Sequence, residues 1–510
     1  MRSSTRGILV LFAVVLGFNA SAATFFVDAA NPFPAPPFTN WLTAATDIQS
    51  AIDAASDGDE IHVTNGVYAT GGRVVYGSLT NRVVIDKAVI VQSVNGPATT
   101  IIRGNSVLGA NAVRCVFMAT NSILSGFTIT NGGTLSSGDL YIDKSGGGVW
   151  TTNNSGAVVT NCVLIGNKAN NFGGGAFNGI IVNSSIIQNS AASGGGLSAG
   201  LNAMATNCLI SSNSAVGNGG GAYNTTLKNC IISQNVANTG GGTYNSWLYG
   251  CLVVSNSAAL DGGVSGGFDV QYCTIVGNSA QMGAGGVNSS SPYGCIIYYN
   301  SVAYGSSYSN YSAGVSLGNC CTLPKPSFGF AIVITNEPGF VDYANGDFHL
   351  QTNSPCINGG GSVLTRILTD LDGNPRIINR LLDIGAYEDQ NPSLIVPYLF
   401  AQKYGLSSDG SLDSDADGMN NWQEAIANTV PTNAASLLKI ISISNSAAGI
   451  ALKWQAASGV TYYVESSTNL AVQPAFFLIR SNLLNYSPTY GITDTTATNN
   501  GPYFYRVGVQ

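Results

Sequence analysis

Twelve consecutive residues, Asp413-Ser-Asp415-Ala-Asp417-Gly418-Met419-Asn-Asn421-Trp-Gln-Glu424, carry the densest chemistry in this sequence. Counted from Asp413, carboxylates stand at positions 1, 3, 5 and 12, a glycine at 6 and an amide at 9. Hard oxygen donors spaced this way around a tight glycine turn suit Ca2+. Asp413, Asp415, Asp417, Asn421 and Glu424 would lend side-chain oxygens, and Met419 its backbone carbonyl. The blander reading of the same residues is an acidic linker. As one loop beside a linker, a bound ion would be a structural clamp rather than a sensor.

The elements that could position any other chemistry are set by a repeat. From Cys162 to Asn300 a phrase recurs: a Cys, an aliphatic residue two places on, an Asn five places on, then a small-residue turn and a run of glycines. The Cys members are Cys162, Cys208, Cys230, Cys251, Cys273 and Cys295, with Ser184 in the second slot. Their partners Asn167, Asn189, Asn213, Asn235, Asn256, Asn278 and Asn300 are separated by 22, 24, 22, 21, 22 and 22 residues. A period of about 22 is too short for helical-hairpin repeats and fits a β-solenoid coil. Within the phrase the Cys and the residue two places on belong in the core, and the next residue outside. The Asn is expected at a left-handed turn, bonded to its stacked neighbours.

Composition agrees. Of 510 residues only 9% are charged and 63 are Gly, while 45% are hydrophobic, enough to bury a long core. A net charge of −7 without any Lys/Arg run argues against a nucleic-acid partner. Arg2 and Arg6, an apolar run from Gly7 to Phe18, and Ala20-Ser21-Ala22 read as a signal peptide over 1–22, so a secreted or cell-surface bacterial protein is expected, with no transmembrane segment in the mature chain. The six ladder cysteines read as a buried stack of small hydrophobes. Of Cys320, Cys321 and Cys356 outside it, one pair, such as Cys321 with Cys356, is the candidate disulfide of an exported chain.

The phrases IQSAIDAASDGDEIHVTNGVY and GFTITNGG and the repeated NCxIxxNxAxxGGGxYN resemble right-handed parallel β-helix proteins of the pectin-lyase-like fold, over about residues 24 to 389. The Gly-Gly-Gly and NSA phrases are similar to repeats of bacterial polymorphic outer-membrane proteins. The stretch 337–389 resembles the choice-of-anchor Q segment and is expected to form the last coils and cap. There Arg366, Asp370, Asp372, Arg376, Arg380 and Asp383 read as structural ion pairs. The 413–424 loop resembles EF-hand, dockerin and thrombospondin type 3 calcium loops. Residues 438–510, with alternating strands, are similar to fibronectin-type-III-like sandwiches. The expected fold class is therefore all-β: a right-handed parallel β-helix over 23–389 with regular coils at 145–320, then a linker, short helix and calcium loop at 390–434, then a small β-sandwich. A helix at 45–55, capped by Thr46 or Asp47 with Ile48, Ala51, Ile52 and Ala55 as its apolar stripe, should cover the first coil.

Such a fold carries lyases, hydrolases, adhesins and inert spacers alike. Lyases of the fold need a basic group with acidic calcium ligands, and its hydrolases a close carboxylate pair. Between Ser145 and Cys320 the only charged residues are Lys168, Lys228, Asp261 and Asp269. Asp261 and Asp269 should share a coil but not a strand. Asp139 and Asp143, beside Lys144 in the long 132–146 loop, are the other catalytic candidates. His62 and His349 read as packing or surface residues. For binding, the row two places after each glycine run reads Trp150, Phe177, Ser198, Tyr223, Tyr244, Ser265 and Asn288, and its aromatics Trp150, Phe177, Tyr223 and Tyr244 are a platform for stacking sugar rings if they face outward, or merely strand-favouring residues. Tyr298, Tyr299, Tyr304, Tyr308 and Tyr311 form either a second sticky patch or a Tyr-rich loop. The expected function is a non-catalytic structural or adhesive β-helix with polysaccharide as partner; the alternative is a polysaccharide lyase or glycoside hydrolase.

Overall fold

A computed structural model of the chain describes residues 22–153, 156–200, 203–304, 309–326, 333–361, 366–378, 381–391, 394–497 and 501–509. The expected leader, all but its last residue, and Tyr308 and Arg380 lie outside them.

Each coil lays down short strands that pair in parallel with the coils before and after. One turn runs Thr226–Lys228, Ile231–Ser233, Val236–Thr239 and Thr243–Tyr244 before Trp247–Tyr249 restarts the cycle. Among the described residues, stacking the turns gives a first sheet of 11 strands, a second of 12, a third of 10 that includes the antiparallel edge strand Arg73–Val74, and a short fourth of 6. The result is a right-handed parallel β-helix, the hand that crossovers between parallel strands adopt. Its core is one continuous apolar column from Phe25 to Val333, with the ladder cysteines inside it at 0–3% exposure.

Helix α1 (Ile48–Ala54) closes the N-terminal end. Asp47 caps it by accepting the Ser50 N–H at 2.8 Å, and Ile48, Ala51 and Ile52 enter the core. At its other end the Lys87 ammonium collects the carbonyls of Ile52, Asp53 and Ala55 at 2.9, 3.1 and 2.6 Å.

The corners correct one expectation. The left-handed residue is not the ladder Asn but the residue before it: Gln188, Ser212, Gln234 and Ser255 have φ of 55–56°. The Asn itself turns inward and is buried. Asn256 donates through Nδ2 to the Ile232 carbonyl and to Asn278 Oδ1, both at 2.9 Å, while its Oδ1 accepts the Asn235 N–H at 3.0 Å and Asn235 Nδ2 at 2.9 Å. Over it sits the last glycine of the run: a Cβ on Gly242 would come within 2.6 Å of the Gly263 carbonyl oxygen and 3.2 Å of Asn256 Nδ2. Asn ladder and glycine runs therefore require each other.

The closing segment also departs from expectation. It lies back along the outer face of the second sheet, where Phe340, Phe348, Cys356 and Ile384 cover Leu252, Val276, Ile296 and Tyr298. The Ala386 N–H reaches Thr274 Oγ1 at 3.0 Å and the Gly385 N–H the Gly294 carbonyl at 2.8 Å. Helices α2 (Tyr398–Tyr404) and α3 (Asn421–Ala427) lead to two three-stranded antiparallel sheets within 440–509. These share a core around Leu452, Trp454, Tyr462 and Val464, a small sandwich. No helix among the described residues is long and apolar enough to cross a membrane.

Candidate functional site

In the acidic loop one carboxylate oxygen from each of Asp413, Asp415 and Asp417 lies within 4.8 Å of the others. The loop turns through Ala416 (φ 62°) and Gly418 (φ 95°), backbone conformations that bring its side chains to one centre. Asp413 shapes it by accepting the Ala416 and Gly418 N–H groups at 2.8 and 3.0 Å, and Asp417 Oδ1 accepts the Met419 N–H at 2.8 Å. Positions 9 and 12 fall on the first turn of α3, whose start is fixed by a capping box between Asn420 and Gln423.

Both Asp415 oxygens, Asp417 Oδ2, Asn421 Oδ1 and Glu424 Oε2 are buried without a hydrogen-bond donor. Asn421 is 1% and Glu424 0% exposed. Burial, then the charges of Asp415, Asp417 and Asp413, push the Glu424 carboxyl up to about 7. Glu424 lies outside the close group of the three aspartates, yet buried oxygens left without donors in one acidic loop fit a hard dication, held by Asp413, Asp415 and Asp417 and drawing in Asn421 and Glu424. Met419 stands at position 7, and its Sδ accepts the Leu438 N–H at 3.3 Å, tying the loop to the entry of the sandwich.

The four candidate catalytic carboxylates do not converge. Asp143 is buried and staples the 132–146 loop to the coil: Oδ1 accepts the Ser78 and Leu79 N–H groups at 2.7 and 3.2 Å, and Oδ2 the Asp139 N–H at 3.0 Å. Asp139 Oδ1 accepts the N–H groups of Tyr141 and Ile142, each at 2.8 Å. Asp261, buried at a left-handed corner, accepts from Ser265 Oγ, Asn288 Nδ2 and the Ala284 N–H at 2.8, 2.7 and 3.1 Å. Asp269 begins a first-sheet strand and accepts from Tyr249 OH at 3.0 Å and Gln271 Nε2 at 2.9 Å.

The aromatic row is in register, Trp150 beside Phe177 and Tyr223 beside Tyr244, and it points out of the coil. It is not an open platform. Phe117, Trp150 and Phe177 form a second apolar cluster at 2–7% exposure, closed over by Ile142 and Phe172. Trp150 Nε1 donates to the Tyr141 carbonyl at 2.7 Å. Arg114, fully buried beneath the loop, stacks 5.6 Å from the Trp150 ring and donates to the carbonyls of Gly146, Ser145 and Ile142; burial lowers it to about 9. Only Tyr223 and Tyr244, stacked at 5.7 Å, remain half-open. The 132–146 insertion, which reads as a site-bearing loop, is a lid over the row.

The Tyr-rich run disperses as well. Tyr298 and Tyr311 are buried, Tyr299 packs on Tyr343, and Tyr304 stays exposed. Cys321 and Cys356 are free thiols, not a disulfide. They face each other in the apolar cluster between second sheet and closing segment, and burial raises the Cys356 thiol well above its ordinary value. His349 lies between Asp347 and Asp372, 2.6 Å from each, and His62 beside Glu60 at 3.0 Å. Of the residues expected in ion pairs, Arg376 lies fully buried with Nη1 3.5 Å from Glu388 Oε2, a carboxyl that burial keeps protonated.

What the motifs did not reveal is a cluster on the outer face of the first sheet, where Trp247, Tyr249 and Lys228 meet Arg366. Arg366 is 117 residues from Tyr249 in sequence, so no local spacing signals the contact.

No protein-family model and no curated protein matches the chain. Among solved structures, the crystal structure of pectate lyase Pel9A aligns over 72% of this chain and 97% of its own, at 13% identity and a TM-score of 0.44. The fold assignment stands on the strand register itself, and at that score nothing about activity is carried across.

Proposed function

We propose that the chain is an exported, non-catalytic β-helix scaffold that binds polysaccharide, its C-terminal sandwich hung from a calcium-clamped linker. One observation carries the non-catalytic reading: Asp143, Asp261 and Asp269 spend both oxygens on donors inside the fold, and Asp139 spends Oδ1 on two backbone N–H groups of its own loop. A hydrolase needs two carboxylates across one glycosidic bond, and an elimination needs a base free to take a proton. Binding needs only a fixed surface, which a rigid solenoid supplies at low entropic cost. The five stranded oxygens of the 413–424 loop support the calcium clamp. Extracellular calcium would then be a standing structural component. The test is incubation with acidic and neutral polysaccharides, reading retention and new chain ends together. Retention without chain ends supports the proposal; turnover returns the chain to the lyase or hydrolase alternative.

A further inference from the structure

On the outer face of the first sheet a groove of about 310 Å3 is lined by Asn224, Thr226, Lys228, Trp247, Tyr249 and Arg366. Its floor follows from strand alternation. Leu227, Leu248 and Val270 enter the core, so their neighbours Thr226, Lys228, Trp247, Tyr249, Asp269 and Gln271 project outward on three successive coils. The Trp247 ring stacks on Phe268 at 4.6 Å and 24°, and Phe268 is 57% exposed, so the pair forms an open aromatic step.

The other wall comes from the closing segment. Asn229 Nδ2 holds it down by donating to Thr369 Oγ1 at 3.0 Å and to the Asp370 carbonyl at 3.2 Å. This sets the Arg366 guanidinium 5.4 Å from the Tyr249 ring, with Nη1 donating to Tyr249 OH at 3.1 Å. The Tyr249 hydroxyl in turn donates to Asp269 Oδ2 at 3.0 Å. Lys228 has no acceptor for its ammonium among the described residues. In a coil tract that is otherwise almost uncharged, two cations line one groove while the Asp269 carboxylate is occupied by Tyr249 and Gln271, leaving net positive charge beside a half-buried indole.

A flat apolar ring face flanked by cations matches a ligand with an apolar ring face and an anionic substituent. We infer that this groove binds an anionic sugar unit of a polysaccharide, a carboxylated or sulfated pyranose that lies on Trp247 and meets Lys228 and Arg366 with its anionic group. The volume is at the small end of ligand pockets, about 300–1,000 Å3, so it takes a short stretch of chain, with the solenoid axis free for the rest. This rests on the glycan-binding reading above and gives it a place and a charge.

The test is calorimetric titration of the full chain with oligoglucuronate, a sulfated cello-oligosaccharide and the neutral cello-oligosaccharide, all of equal length. At least one anionic ligand should bind. Lys228→Gln and Arg366→Gln should each weaken it by about tenfold or more, the scale of one charge-assisted hydrogen bond. Raising salt from about 0.05 to about 0.5 M should weaken it further. Both substitutions lie on the surface, and unchanged thermal midpoints would confirm that folding is intact. Anionic binding untouched by both substitutions, or neutral ligand bound equally well, overturns the groove assignment while the glycan-binding reading stands. If no oligosaccharide binds and no polysaccharide is retained, the reading itself fails and takes the groove with it.

Discussion

Asn256 shows what one ladder residue does. Its amide joins three coils at once, so Asn256→Leu leaves the Asn235 N–H buried without its acceptor and removes a donor from the Ile232 carbonyl. At about 1–3 kcal/mol per stranded group the β-helix should lose about 2–5 kcal/mol in urea denaturation; an unchanged midpoint would contradict the ladder's role. The repeat spacing made these residues visible in sequence, because a buried amide at a fixed interval leaves a periodic mark. The identity of the left-handed residue was not legible, because Gln, Ser, Gly and Tyr all occupy that corner and leave no compositional signal. Glu388 in the closing segment was equally hidden. Burial, then the Asp383 charge, pushes it up to about 9, against the pull of Arg376. A carboxyl raised in the fold prefers its proton there, so its contribution to stability is complete below its ordinary value and is lost as pH rises through about 9. The closing segment should therefore exchange amide hydrogen faster as pH climbs toward 9, after correction for intrinsic rates, and Glu388→Gln should flatten that slope. A slope that survives the substitution would place its origin elsewhere.

At the scale of elements, the 132–146 loop and the closing segment both cover sheet faces that a regular solenoid would leave open. The loop is held by Asp143 at its centre. Asp143→Ala should free it, expose Trp150 and raise the quenching of indole fluorescence by iodide, at a cost of about 2–4 kcal/mol for a buried acceptor of three backbone donors. Quenching equal to wild type would mean the aromatic cluster alone holds the lid. Here sequence reading had the row, its register and the length of the insertion right as observations. It could not see that one buries the other, because burial on the outside of a coil depends on where an aperiodic loop folds. The same limit applies to 337–389: its apolar residues signal packing, but against the flank rather than the end.

For the whole molecule, the β-helix and the sandwich are joined through the acidic loop, and Met419 touches the sandwich entry directly. With calcium present the linker should resist proteolysis. Chelation, or Glu424→Gln, should open cleavage between about residues 405 and 438 while the β-helix keeps its denaturation midpoint; cleavage indifferent to calcium would remove the clamp. The loop's donor set was legible because its ligands are contiguous, and the groove at Trp247 was not, because Lys228 and Arg366 meet only after the chain folds back. On the proposed function this solenoid holds polysaccharide without cutting it. The most direct measurement incubates the purified chain with a panel of acidic and neutral polysaccharides and follows both co-sedimentation and new reducing or unsaturated ends. Retention is expected, strongest on an anionic polymer and weakened by Lys228→Gln, with no new ends above background; ends that accumulate with time and vanish on substitution of Asp139, Asp143, Asp261 or Asp269 would overturn the non-catalytic reading.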